Sequence, residues 1–499
     1  MASTDGFTIT VPSVLSIAST MTGLTASGTS TANSLGSAVL DVLAFATIGS
    51  EVGSANSALQ GQLTSALTQL LQGLTQTTSS VSTAATGYAD LDSEIATLLG
   101  GDPSSSTGTA TGSTADAYSS LTAAGSPTAV RAAWDKLTPD QQQALIAAHP
   151  NEIGTMNGIP VTARDQANRI VLSGLQTHAR ADLEAAKTDL ANGAQTGDLS
   201  AMLAAQAHVE AAQKQVDAFS HLQTVLGNST TPQYLLGVNT NGPGQWIIAA
   251  NNPDTAQHVV TLVPGMATTL SASGVDGLAG HSQNLLAASN NAAPGESTSV
   301  ITWAGYNSPQ GLQALETSFA KGGAPSLQSF QQGLYATHDS TPFTTTVAAH
   351  SYGTVLATDA ALNPGGLRTD ALAYLDSPGV PAASASSLGI QHVFATATTN
   401  DAVVNGSDFV GKLGAWEYNG NLGPGGAPMA NPGDQAYHGT DPLSPSFGAT
   451  LFDAGTGTPG LFNGITAHSD VFNPAYPGPG NIGQIATGHF TSITPRPSK

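Results

Sequence analysis

The stretch TTTVAAHSYGTVLATDAAL, Thr344 to Leu362, decides the architecture. Thr344 to Ala348 has the β-branched, apolar character of a buried strand. Val355, Leu356 and Leu362 mark a helix on the other side. Between them stands Ala349-His350-Ser351-Tyr352-Gly353. A serine on a sharp strand-to-helix turn needs small residues two before and two after it, so that the backbone closes without clash, and Ala349 and Gly353 supply them. On such a turn Ser351 projects from the carboxyl edge of a sheet, close to a helix N-terminus that favours developing negative charge.

Working outward, short β-branched runs bounded by Gly, Pro or Asn begin after Pro232: YLLGVNT, QWIIAAN, HVVTLVPG, SVITWAGY, TTTVAAHS, ALAYLDSPG, HVFATATTN and GATLFDAG. Two strands joined by a tight turn, followed by strands alternating with helical stretches such as Gln310 to Phe319, predict a mostly parallel eight-stranded α/β sheet over residues 231–499. A nucleophilic serine on this sheet takes its acid and then its base from later in the chain. Asp401 follows the seventh run and is preferred as acid to Asp376, which follows the sixth; turn capping is the commoner use of aspartate in loops. His468, in GLFNGITAHSD after the eighth run, is preferred as base to His438 or His489. An oxyanion hole takes one amide from the residue after the serine, Tyr352, and one from the loop after the third strand, where Met266 follows Pro264-Gly265. His350 is assigned to packing. Ser282, which shares Gly-His-Ser with the elbow pattern but follows a loop, is read as a helix-surface serine. The Gly- and Pro-rich loop from 411 to 446, with Trp416, Tyr418, Met429 and Tyr437, has the length of a lid or a substrate wall. No metal-ligand spacing, dinucleotide fingerprint or P-loop occurs, so the reaction is expected to need no cofactor and no metal.

Upstream the composition divides the chain again. The 499 residues carry 12 Lys plus Arg against 33 Asp plus Glu, a net charge of -21, and no basic residue precedes Arg131. So few basic residues argue against nucleic-acid partners and anionic lipid surfaces. No apolar run is long enough for a membrane span. The start lacks the basic and apolar regions of a Sec signal peptide. With no cysteine, disulfides and thiol chemistry are excluded. Residues 1–100 have Leu59, Leu63, Leu67, Leu70 and Leu74 at helical spacing and read as a helical hairpin. Residues 101–127, opening GDPSSSTGTATGST, read as a flexible linker. Residues 128–230 read as a helical domain: Thr138-Pro139 with Gln141 opens one helix, and two long helices, about 162–190 and 199–226, should pack antiparallel.

The blocks VPGMATTL, VITWAGYNSP, AAHSYGTVLA, LDSPGV, TTNDAV and AHSDVF, in this order, resemble an actinobacterial α/β-hydrolase family long catalogued as a domain of unknown function, whose elbow reads G-H-S-Y-G. The resemblance runs from about Pro127 to the C-terminus. It implies Ser351 as nucleophile, Asp401 as acid and His468 as base, and departs from the family pattern at Ala349 and at Asp376, where glycine is usual. The first zone resembles the WXG100-like substrates of type VII secretion. Tyr88 and Asp92, a Y-x-x-x-D pair one helical turn apart, stand where such an export signal stands, while Phe45 to Gly49 replaces the family's Trp-x-Gly turn. These resemblances imply an exported serine esterase or lipase-like hydrolase, secreted or held at the cell envelope. Its expected partners are an ester substrate, a helical-hairpin secretion partner and the secretion machinery. The alternative is a non-catalytic interaction protein that uses the same fold as a scaffold.

Overall fold

A computed structural model describes residues 114–196, 199–228, 230–339, 341–401, 403–404, 435–436, 438–459 and 464–497. Residues 1–100 with Tyr88 and Asp92, and the loop residues Trp416, Tyr418, Met429 and Tyr437, lie outside them.

Eight strands form one sheet: β1 (Gln233–Asn239), β2 (Gln245–Ala250), β3 (His258–Val263), β4 (Thr298–Ala304), β5 (Thr344–His350), β6 (Ala371–Leu375), β7 (His392–Thr396) and β8 (Thr450–Leu451), in the order β1-β2-β4-β3-β5-β6-β7-β8. β1 and β2 are antiparallel, β2 is antiparallel to β4, and every later pairing is parallel. The eighth strand is only two residues long, pairing Thr450 with Phe394 and Leu451 with Ala395. Every residue of β3, β4 and β6 is buried, which is why these runs read as continuous rather than alternating hydrophobicity.

Helices cover both faces. On one, Leu327 and Phe330 of Ser318–Thr337 and Val355 and Leu356 of Tyr352–Leu362 pack with Val259, Val263 and Val347. On the other, Leu285 and Leu286 of Ala272–Ala292 and Ile482 and Ile485 of Gly478–Ala486 pack with Val260, Leu262, Ala348 and Ala373. The parallel strands therefore end along one edge between two helical layers, and the connections leaving that edge carry Ser351, Asp376 and Asp401.

The upstream helices differ from their expected division. Val161–Thr196 and Leu199–Leu226 do run antiparallel, with Gln176 bonded to Gln223 and Asp182 to His208. Leu172, Phe219, Leu222 and Leu226, however, share a buried cluster with Leu235, Val238, Trp246 and Ile248 of the first two strands. Buried Arg164 bonds the Leu236 carbonyl at 2.6 Å. The pair shields the antiparallel edge of the sheet and is not a separate helical domain. Nor is the whole of 101–127 a linker. Thr114–Thr122 is a helix whose Ala117 and Leu121 pack with Val130, Trp134 and Leu145, an apolar stripe that Ser- and Thr-rich composition conceals. The expected cap at Thr138 is present: its hydroxyl accepts the Gln141 amide, and the Gln141 side chain accepts the Thr138 amide.

Candidate active site

Strand β5 ends at His350 and a helix begins at Tyr352, so the chain turns on Ser351 alone. Ser351 takes φ of 53°, a left-handed conformation that side chains seldom adopt and that is held only where the surroundings over-determine it. Here its amide is tied to the Leu375 carbonyl at 2.9 Å. Two glycines make the turn possible by close approach. A Cβ on Gly353 would stand 2.4 Å from the Val263 carbonyl oxygen, and one on Gly265 would stand 2.6 Å from Ser351 Cβ and 3.0 Å from its Oγ. Ala349 lies inside β5, fully buried and paired with Val263 and Tyr374, where a methyl is accommodated.

Gly265 brings the loop after β3 against the serine. Two side chains fix that loop: the Tyr306 hydroxyl reaches the carbonyls of Pro264 and Gly265 at 3.0 and 3.1 Å, and the Thr268 hydroxyl donates to Gly265 at 2.9 Å. Ala267, one residue past Met266, is held at φ of 58°, and its amide bonds Pro309. Tyr352 opens the helix, where the first amides have no intrahelical acceptor. Its phenol, pushed up to about 12 by burial, donates to the Glu316 carbonyl and accepts the Ala320 amide. Nothing in the local pattern around Tyr306, in VITWAGYNSP, marks it as a site residue; only the fold shows that it buttresses the loop. Beside it a cavity of about 390 Å³, lined by Gly305, Asn307, Phe319 and Gly323 among others, opens past the carboxyl end of β4.

Asp401, just beyond β7, is fully buried, and its Oδ2 lies 2.9 Å from His468 Nδ1. Its Oδ1 accepts the Val403 amide at 2.7 Å. Burial alone would raise this carboxyl; the His468 charge and the hydrogen bonds from His468, Asp376 and Val403 outweigh it and hold it below the ordinary range. His468 itself is carried against the elbow. His350 donates from Nε2 to the His468 carbonyl at 2.8 Å, with the two rings 4.7 Å apart. Burial, then the neighbouring His468 charge, lowers His350 to about 3, so it stays neutral and a donor. His350 therefore does more than pack: it joins the residue before Ser351 to the segment that bears His468.

The remaining candidates fall elsewhere. His438 packs edge-on against Tyr352 and His489 bonds Thr487. Asp376 makes no bond to His468 but lies beside Asp401. Ser282 is buried and bonded to Thr302, not on the helix surface; its helix packs that face inward. Among the described residues, Asp376, Asp401 and His468 bring ligand atoms within 4.8 Å of one another, close enough to hold a cation. The His468–Asp401 hydrogen bond needs a proton on Nδ1 where such an ion would need a bare nitrogen, and the buried acid pair fits a shared proton better than a metal.

Residues 240–410 match the sequence model of a family described as alpha/beta hydrolase. The chain has an α/β-hydrolase fold. The matched span contains Ser351, Asp376 and Asp401 and ends before His468. The chain is 27% identical over 379 residues to an uncharacterized protein of Mycobacterium tuberculosis, covering 72% of this chain and 55% of the relative. It is 34% identical over 123 residues to an uncharacterized protein of Mycobacterium bovis, covering 24% of this chain and 46% of that one. It thus spans about half the length of the curated relatives it matches. A solved lipase in its open form aligns with 28% of this chain and 43% of its own, at 20% identity and a TM-score of 0.19, too slight a likeness to bear on the site. No helix among the described residues is long and apolar enough to cross a membrane.

Proposed function

We propose that the protein is a serine hydrolase acting on an ester or thioester, with amides as the further class open to the same chemistry. Ser351 attacks the carbonyl, His468 takes the proton and returns it to the leaving group, Asp401 orients His468, and the amides of Met266 and Tyr352 receive the oxyanion. The observation that carries this is the coincidence at one sheet edge of a strained, glycine-cradled Ser351 and a buried 2.9 Å contact between His468 and Asp401. A serine kept at left-handed φ is costly unless its direction matters, and a buried carboxylate on imidazole Nδ1 leaves Nε2 as the base. No metal or organic cofactor is required by these steps.

A fluorophosphonate probe tests the proposal. The full chain should be labelled near neutral pH and Ser351→Ala should not; an unlabelled, folded wild type would end the enzyme hypothesis. Export through the type VII route is a separate part of the proposal, supported by the Tyr88 and Asp92 spacing and by the resemblance of residues 1–100. Replacing either residue should retain the protein inside a cell that has the secretion machinery, and unchanged export would remove that part alone.

A further inference from the structure

The sheet edge holds one more acid than a serine, a base and an orienting carboxylate require. We propose that Asp376 is a positioning residue: it stays protonated, and its Oδ2 hydroxyl donates to the Asp401 carboxylate, holding it in line with Nδ1 of His468. This rests on the hydrolase reading of the same site.

β6 and β7 are neighbouring parallel strands, with Leu375 opposite Thr396, so the residues just past them leave the sheet side by side. The Asp376 amide donates to the Thr396 carbonyl at 3.0 Å, and its Oδ1 accepts the Thr398 amide at 2.9 Å. Asp376 is thus clamped to the segment leading to Asp401. It is fully buried, and its Oδ2 meets no N–H or O–H donor. A buried carboxylate oxygen in that state is expensive. Protonation converts it to a donor, and the acceptor beside it is Asp401. Two buried carboxyl groups this close cannot both ionise. Asp401 has the His468 ring and the Val403 amide to support its charge, whereas Asp376 has the Thr398 amide and the charge of Arg496, which makes no hydrogen bond to its Oδ2, so the proton belongs on Asp376. Burial, then the Asp401 charge, pushes Asp376 well above the usual carboxyl range. The other charged group facing it is Arg496 from the C-terminal segment, which also faces Asp441 and Asp453; His468 and His350 face Asp401. Finally, Asp376 has φ of 50°, a conformation glycine would hold without strain, so its side chain is kept at a cost.

The test compares Asp376→Ala, Asp376→Asn and Asp401→Asn in the full chain. On an activated ester, Asp376→Ala should lower kcat about 10- to 100-fold with little change in KM, the scale of a misplaced catalytic group. Asn retains both the acceptor for Thr398 and a donor for Asp401, so Asp376→Asn should recover most of that loss. Wild type should lose activity reversibly on the alkaline side as Asp376 ionises against Asp401, and Asp376→Asn should lack that limb. If Asp376→Asn is as damaging as Asp401→Asn, or Asp376→Ala reacts at the wild-type rate, the proposal is wrong. An infrared difference spectrum, wild type minus Asp376→Asn at neutral pH, should show the carbonyl band of a protonated acid, and its absence also overturns the proposal. That readout needs no turnover, so a wild type inert to fluorophosphonate would sink the hydrolase reading and leave the proton on Asp376 still decided.

Discussion

Gly265→Ala probes the approach of the loop after β3 to the serine. The added methyl would stand 2.6 Å from Ser351 Cβ and 3.1 Å from the His350 carbonyl oxygen, where ordinary contact begins at 3.4 Å. Gly265 is not in the left-handed region, so alanine meets no backbone penalty there and the whole effect is steric. Ser351 Cβ cannot rotate out of the way, so the loop or the elbow must give by about 0.8 Å, the difference between 2.6 and 3.4 Å. Misplacing catalytic groups by about 1 Å costs on the order of 100-fold. The expected loss is therefore about 30- to 100-fold in the fluorophosphonate labelling rate, or about 2–3 kcal/mol of barrier. Stability, measured by urea unfolding, should fall by about 1–3 kcal/mol, as for other overpacked sites. Gly280→Ala is the control: its methyl would meet nothing within 4 Å in the middle of Ala272–Ala292. That change should leave labelling alone and stabilise by about 1 kcal/mol through helix propensity. A Gly265→Ala protein that labels at the wild-type rate would refute the claim that this loop faces the reacting serine.

Gly353→Ala should be worse for folding, because its methyl meets backbone oxygens, Val263 at 2.4 Å and Pro264 at 2.8 Å; a loss of about 3 kcal/mol or more in urea unfolding is expected. Gly158→Ala tests whether the upstream helices belong to the same folded body. With φ of 99° and a methyl 2.1 Å from the Pro127 carbonyl oxygen, it should lower the single unfolding transition by about 2–4 kcal/mol, whereas an independent helical domain would melt separately. His281 has its Nδ1 buried without a partner and stacks on Phe472, and burial lowers it to about 4. Its native form binds fewer protons than the unfolded chain between pH 6.5 and about 4, so stability is lost as pH falls through that window. His281→Phe should flatten this part of the stability curve, and an unchanged slope in unfolding titrations between those pH values would reject the assignment.

Much of this was legible in the sequence for identifiable reasons. Each parallel strand is a short apolar run closed by Gly, Pro or Asn, so the eight runs and the mostly parallel sheet follow from local pattern. Ser351 is legible because its turn makes local demands on positions 349 and 353. What could not be seen arises between segments far apart in the chain. The Tyr306 bonds to Pro264 and Gly265 and the His350 bond to His468 leave no mark on periodicity. Phe219 and Leu222 have the spacing of any amphipathic helix, and nothing in that spacing says that their partner is the first hairpin of the sheet rather than another helix. Composition misled for 101–127 because Ala117 and Leu121 stand among Ser, Thr and Gly residues that suit a linker.

The acid shows best how topology completes what local sequence leaves open. Asp376 and Asp401 each follow a strand, and each by itself reads as either a capping residue or a catalytic one. Because β6 and β7 are parallel neighbours that end together, both carboxyl groups arrive at one buried point, and a low-dielectric interior cannot keep two charges there. The question ceases to be which aspartate is the acid and becomes which of them holds the proton. The partners decide that. His468 and the Val403 amide stabilise charge on Asp401, and Asp376, faced by Arg496 without a hydrogen bond from it, is left with a buried oxygen that has no donor. In the proposed site strand order makes Asp401 the acid, and the sheet that imposes this order also sets Asp376 beside it as the proposed donor.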